Sequence, residues 1–247
     1  MHCFFVSKEQ IEEEFIHIWG EDVNHIKNVL RMKSGEEFIV SDQEGMEYRC
    51  FISQIKETEI LAEIKWKMPQ MVELPSKIAL FQGLPKADKM ELIIQKGVEL
   101  GVHSLFPVIT KRAVVKLDEK KAQKKVERWN EIAKSGAKQS KRGIVPKVAM
   151  PLSFKKALEM ARDFDFILIP YELEEGMKKT REILSKISPG QSVAVFIGPE
   201  GGFSKEEVKE AKEAGALPIT LGKRILRTET AGLTILSILM YHLERDD

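Results

Sequence analysis

Cysteine is nearly absent from this sequence: Cys3 and Cys50 are the two among 247 residues. Both stand outside any CxxC, which excludes a disulfide framework or a zinc ribbon and leaves reduced packing residues as their reading. Long apolar runs are missing too. None approaches the roughly 20 residues that a membrane helix needs. The opening MHCFFVSKEQIEEEF puts Glu12, Glu13 and Glu14 where a secretory signal carries its apolar core. A cytoplasmic protein with no membrane association is therefore expected. His2, His17, His25, His103 and His242 are scattered, and no His/Cys/Asp/Glu group has metal-ligand spacing, so no metal site is expected. Neither GxGxxG at the start of an early strand–helix unit nor GxxxxGK[ST] occurs. Those absences exclude the dehydrogenase and P-loop kinase readings. Internal repeats and low-complexity segments are absent as well.

The net charge is only +1, which argues against a protein that coats nucleic acid over its whole surface. Its distribution is uneven. Residues 1–72 hold 8 Lys+Arg against 14 Asp+Glu, whereas residues 111–147 hold 13 against 4. A basic segment concentrated in a neutral chain suits one anionic partner bound at one place. A solvated helix with lysines on its outer face is the plainer alternative.

The first 70 or so residues read as a β-rich module. EFIVSD (37–42), MEYRCFISQI (46–55) and EILAEIKW (59–66) are strand-like runs separated by turn-like QEG and KET. Before them, residues 22–35 read as a helix capped by Asp22, with Val23, Ile26, Val29 and Leu30 on one face and Gly35 as its stop. Residues 68–77, with Pro69 and Pro75, mark the boundary. Strands then alternate with helices: strands at 77–83, 105–110, 164–170, 192–198 and 216–222, and helices at 89–101, 118–138, 154–161, 177–187, 205–215 and 229–244. Continuously apolar strands between helices predict a parallel sheet covered on both faces.

Two segments carry the chemistry. In FIGPEGGFSKEEV (196–208) a buried strand runs straight into Gly198-Pro199-Glu200-Gly201-Gly202. Ser204 and Glu207 are spaced as a capping box that fixes the next helix start. Loops at the carboxyl ends of parallel strands are where such sheets bind ligands, and glycines let the backbone approach a flat ligand closely. In ITLGKRILRTETAG (219–232) a second strand ends near Gly222. A basic loop with Lys223, Arg224 and Arg227 follows, then a helix for which Thr228 is the expected N-cap and Glu229 the acid in the first turn. A tight connection and a solvated basic turn are the plain alternatives, but the two features together, both late in the chain, point to one ligand site.

GPEGGFS with LGKRILRTETA resembles the C-terminal part of the SPOUT superfamily of methyltransferases. Within it, the chain resembles the family that methylates N3 of a uridine in 16S ribosomal RNA. HIKNVLRMKSGE (25–36), KADKMELIIQKGVELGV (86–102) and KQSKRGIVPKV (138–148) agree, so the resemblance spans nearly the whole chain. It implies an α/β fold: a C-terminal knotted (trefoil) parallel-sheet methyltransferase domain at 73–247 behind an N-terminal small β-barrel PUA-like RNA-binding domain at 1–72. It departs at the start, where the family carries an arginine before the aromatic pair and this chain has His2-Cys3 before Phe4-Phe5.

The resemblance further implies S-adenosylmethionine as cofactor, held by Pro170, Glu172, Ile197, Gly198, Pro199, Glu200, Gly201, Gly202, Leu221, Gly222, Leu226, Thr228 and Thr230. Arg227 would orient the uracil or offset its developing charge, with Glu200 and Glu229 as proton acceptors. RNA contacts are expected from Lys27, Arg31, Lys120, Lys121, Lys124, Lys125, Gln139, Ser140, Arg142 and Arg224, with His25 and Lys33 as further members of the first group. The expected partner is 16S ribosomal RNA in an assembled small subunit. Similar enzymes are homodimers with the active site at the interface; Leu233, Ile235, Leu236, Ile238 and Leu239 of the final helix read equally as interface or core. Rival readings are a ribose 2′-hydroxyl methyltransferase and a non-catalytic RNA-binding assembly protein.

Overall fold

The computed structural model describes residues 1–115, 118–171 and 176–244, and the chain divides into two compact units. One comprises Met1–Glu73 with Ala137–Val145, the other Leu74–Gly136 with Pro146–Asp247.

The first unit is built on five strands: β1 (Cys3–Phe5), β2 (Phe15–Trp19), β3 (Glu37–Ser41), β4 (Met46–Ile55) and β5 (Glu59–Pro69), in the order β1-β3-β4-β5-β2. The β1–β3 pair is parallel; the others are antiparallel. Alternation along each strand sends one set of side chains inward. Phe38 and Val40, Tyr48, Cys50 and Ile52, Ile60 and Ala62, and Ile16 and Ile18 form the core with Phe4. Both cysteines are free. Burial pushes the Cys3 thiol up to about 11 and that of Cys50 up to about 12, so both are inert packing groups.

The helix expected at 22–35 forms differently. It is a short α1 (Glu21–Asn24) followed by one π-helical turn at His25–Val29, closed by Leu30 N–H donating to the His25 carbonyl at 2.9 Å. The wider turn rotates the following residues. Val23 and Ile26 stay buried, but Val29 is 62% exposed and leaves the shared face. Asp22 is not the cap either; Gly20 holds that position, and Asp22 instead accepts from Lys138 Nζ at 2.9 Å.

That contact is one of several fastening 137–145 to this unit, although the sequence reading gave the segment to the second domain. Arg142 is 4% exposed and forms a two-pronged pair with Glu73, whose Oε1 also accepts from Gly143 N–H at 2.9 Å. Ser41 donates to the Gly143 carbonyl. A Cβ on Gly143 would lie 2.2 Å from Gln70 Cδ, so any other residue there requires the Gln70 side chain to move.

The second unit has β6 (Ile78–Gly83), α2 (Lys89–Glu99), β7 (Ser104–Ile109), α3 (Glu119–Gln139, ending in the shared segment), β8 (Lys147–Val148), β9 (Leu152–Ser153) and α4 (Phe154–Ala161). There follow β10 (Phe166–Pro170), α5 (Met177–Leu184), β11 (Val193–Ile197), α6 (Lys205–Glu213), β12 (Leu217–Ile219) and α7 (Thr228–Leu243). The sheet runs β12-β10-β11-β6-β7-β8, with β9 also beside β7, and every pair is parallel. Every residue of the central strands β6 and β11 is buried, as the apolar runs predict. Phe81 stacks on Phe106 and on Phe196, each with ring centroids 4.6 Å apart.

Because all strands point one way, the loops after β6, β10, β11 and β12 open on one edge. From β12 at the margin the chain returns to the centre, where α7 packs against α2, β6 and β11. Within α7, Ile235, Leu236 and Leu239 are fully buried core, while Tyr241 is 87% exposed.

Removing Glu73 takes two hydrogen bonds from the enclosed Arg142 guanidinium and one from Gly143 N–H, at about 1–3 kcal/mol. Glu73→Ala is therefore expected to lower the denaturation midpoint of the full chain and speed tryptic cleavage after Lys141, whereas Glu73→Gln should have a smaller effect. Wild-type cleavage rates in Glu73→Ala would refute this role for the pair.

Candidate functional site

A cavity of about 420 Å³ opens where the loops after β10, β11 and β12 converge on the start of α7. The loop after β11 is shaped by its glycines. Gly198 sits where a Cβ would come 3.0 Å from the Gly202 backbone, and Gly202 N–H closes the turn onto the Pro199 carbonyl at 2.8 Å. Gly202 takes φ +63°, a region open to glycine and strained for residues with a Cβ. Gly83, at the end of β6, lies against this turn, and a Cβ there would come within 2.6 Å of Pro199 Cδ. The capping box forms as expected: Ser204 Oγ accepts from Glu207 N–H at 3.2 Å and Glu207 Oε2 from Ser204 N–H at 2.8 Å. Glu207 Oε1 also accepts from Lys111 N–H at 2.7 Å.

Thr228 does not cap α7. Arg227 occupies the cap position without a side-chain bond, and Thr228 is the first helical residue. Its hydroxyl is drawn instead into the core, accepting from Gln82 Nε2 at 2.8 Å and donating to the Gly198 carbonyl. One hydroxyl thus joins β6, the loop after β11 and α7. The polar Gln82 at the end of the apolar run KIALFQG is the sequence signal for this node.

Pro170, Ile197, Gly198, Pro199, Glu200, Gly202, Leu221, Gly222, Leu226 and Thr228 line the cavity, as do Arg227 and Arg224. Gly201 and Thr230 do not. The Gly201 carbonyl faces outward to accept from Arg112 Nη1 at 2.9 Å, and Thr230 is exposed on α7. Glu172 lies outside the described residues. Lys89, Phe203, Thr220 and Ala231, outside the stretches that the resemblance implied for the cofactor, also line the cavity.

Lys89 is the notable omission, since its position in an ordinary amphipathic helix gave no sign of a role. Its Nζ lies 3.0 Å from Glu200 Oε1 and 3.5 Å from Glu229 Oε2. The hydrogen bond to Glu200 raises it above the ordinary lysine range; burial opposes this, and the attraction of both carboxylates adds to the rise. Glu229 sits beside this cluster rather than in the cavity wall.

The expected RNA contacts are dispersed. Lys120, Lys121 and Lys124 are exposed on α3, with Lys121 Nζ 3.0 Å from Asp118, while Lys125 Nζ lies 5.9 Å from the centre of the Trp129 ring. Lys27 donates to the carbonyls of Lys56 and Glu57 at 3.1 and 3.3 Å. Arg31 is exposed with φ +54°, Gln139 is exposed and Ser140 is half-buried. Arg142 is the correction: its guanidinium is enclosed and engaged by Glu73, which keeps it from a phosphate or a base. Among the described residues no group of three or more His, Cys, Asp or Glu is placed to hold a metal ion, and no helix is long and apolar enough to cross a membrane.

The second unit corresponds to a known family: residues 72–240 match the RNA methyltransferase domain, and residues 19–65 match the RNA methyltransferase PUA domain. The chain is 42% identical to the ribosomal RNA small subunit methyltransferase E of Bacillus subtilis, over 99% of this chain and 98% of that protein. It is 35% identical to the protein of the same name from Mesomycoplasma hyopneumoniae, over 96% and 98%. Among solved structures, the ribosomal RNA small subunit methyltransferase E of Neisseria gonorrhoeae bound to S-adenosyl methionine superposes with a TM-score of 0.83 at 30% identity, covering 98% of this chain and 97% of that one.

Thr228→Val keeps the shape but leaves the Gly198 carbonyl without its donor and removes one partner of Gln82. Such buried losses cost about 1–3 kcal/mol. The expected outcome is a lower melting temperature, restored by Thr228→Ser; an unchanged melting temperature in Thr228→Val would show that the node is dispensable.

Proposed function

The chain belongs to the family of ribosomal RNA small subunit methyltransferases E, which makes it a ribosomal RNA methyltransferase dependent on S-adenosylmethionine, and we propose that its methyl acceptor is N3 of one uridine in 16S ribosomal RNA. The observation that carries the reading is the convergence of three strand-end loops, two of them glycine-bearing, on one cavity at the carboxyl edge of the parallel sheet.

The cavity suits this cofactor. Its volume lies within the roughly 300–1,000 Å³ of small-molecule sites. Ile197, Leu221 and Leu226 supply apolar wall for a flat base, and Gly202 and Gly222 leave open space where side chains would intrude. When bound, the cofactor supplies an electrophilic methyl group on sulfur. The residues of this chain must align the acceptor nitrogen with that methyl and help the imide lose its proton. Alignment supplies the larger share of acceleration, and a placed base adds roughly 100- to 10,000-fold. Arg227, in the cavity wall, orients the uracil or offsets the charge developing on it, and Glu200 and Glu229 are the two candidates for the proton acceptor.

Several finer assignments belong to the same reading. The return of α7 from the marginal β12 to the centre of the sheet supports a trefoil knot of the SPOUT type. Partly exposed Leu233 and Ile238 and exposed Tyr241 on α7 support a homodimer. The exposed lysines of α3 support RNA attraction with steep salt dependence. Residues 1–72 serve as the RNA-binding module and 73–247 as the catalytic domain, with 137–145 carried by the former. The substrate is the assembled small subunit in the cytoplasm.

Transfer of labelled methyl from S-adenosylmethionine to small subunits of a strain lacking this gene, with naked RNA and transfer RNA alongside, tests the proposal. Label is expected as 3-methyluridine in subunits, and Arg227→Ala should lower kcat by about 100-fold. Label in a ribose methyl, or none in any RNA despite cofactor binding, would overturn it.

A further inference from the structure

We infer that Lys89 is a positioning residue for the methyl transfer: it gathers Glu200 and Glu229 so that Glu200 stays a fixed counter-charge while Glu229 takes the proton. The inference rests on the methyltransferase reading of the cavity. Lys89 begins α2, Glu200 lies in the loop after β11, and Glu229 is in the first turn of α7, so three segments distant in sequence meet at one ammonium. Two carboxylates brought together repel one another unless a cation lies between them. Lys89 supplies it, 3.0 Å from one and 3.5 Å from the other.

The surroundings then separate the two acids. Glu200 Oε1 also accepts from Lys86 N–H at 3.0 Å. Burial pushes the Glu200 carboxyl up, but hydrogen bonds from its own N–H, from Lys86 N–H and from Lys89 outweigh that and hold it below the usual range. A carboxylate so well satisfied is a weak base. Glu229 Oε2, in contrast, is buried with no hydrogen-bond partner among the described residues. It lies 3.5 Å from Lys89 Nζ, at the outer limit of a hydrogen bond. A buried oxygen left in that state is energetically costly, and a donor brought to it satisfies it. Lys89 itself remains charged through neutral pH and accepts nothing. The other charged groups around the pair are Lys223, Arg224 and Arg227 in the cavity wall and Arg112 on the far side of the Gly201 turn.

In the step this arrangement serves, the imide proton passes to Glu229 and N3 keeps the electron pair of its N–H bond. N3 bonds to the methyl carbon, and the departing thioether keeps the pair of the bond that breaks. Nothing is oxidised or reduced.

The test measures kcat and KM on small subunits for wild type, Lys89→Met, Lys89→Arg, Glu200→Gln and Glu229→Gln, with melting temperatures as controls. Lys89→Met is expected to lower kcat about tenfold and leave KM for S-adenosylmethionine within about threefold. Lys89→Arg should restore kcat, and Glu229→Gln should lower it well below the level of Glu200→Gln. An unchanged kcat in Lys89→Met, or a rise in KM for S-adenosylmethionine alone, overturns the inference. Should Lys89→Met fail to fold, a wild-type kcat in Glu229→Gln overturns it equally. Absence of methyl transfer by the wild type would instead sink the parent reading.

Discussion

The hydroxyl of Thr228 is where the second unit is tied together. It accepts from Gln82 in the central strand β6 and donates to the Gly198 carbonyl in the loop after β11. Without it, α7 would have apolar contacts with α2 and the sheet but no polar register against the ligand loop. Apolar packing is non-directional, whereas a buried hydrogen-bond node fixes which atoms meet. The placement of Arg227, one residue before Thr228, and Glu229, one residue after, follows from that register. The close approach of Gly83 to Pro199 acts on the same loop from the other side.

Much of this was legible in advance because it depends on local rules. β4 and α4 fall at the residues that hydrophobic alternation and periodicity predict, and the Ser204–Glu207 box sets the start of α6. The short edge strands β1 and β2 were not foreseen, since a few residues of alternation lack the length to stand out. The π turn at His25–Val29 was equally hidden, because an inserted residue leaves no mark in a pattern read at 3.6 residues per turn.

The site was legible where glycines and strand ends announce it and obscure where contacts are non-local. Most of the expected cavity residues line it. Thr228 looked like a cap because threonine before an acidic first turn commonly is one, and only the distant Gln82 makes it otherwise. Lys89 and Arg142 erred in opposite directions. Lys89 looked like solvated helix and meets two carboxylates, whereas Arg142 looked like an RNA contact and is enclosed with Glu73. A charge's role depends on its partner, and partners separated by 69 or 111 residues leave no signature in spacing.

The central claim is that one cavity, at the carboxyl ends of β10, β11 and β12, holds the methyl donor. A crystal structure of the full chain soaked with S-adenosylmethionine tests it most directly. The account predicts the ligand between Pro170, the Ile197–Gly202 turn and the Leu221–Thr228 segment, with its base against Ile197, Leu221 and Leu226. A ligand bound elsewhere, or a cavity left empty at saturating concentration, would contradict it.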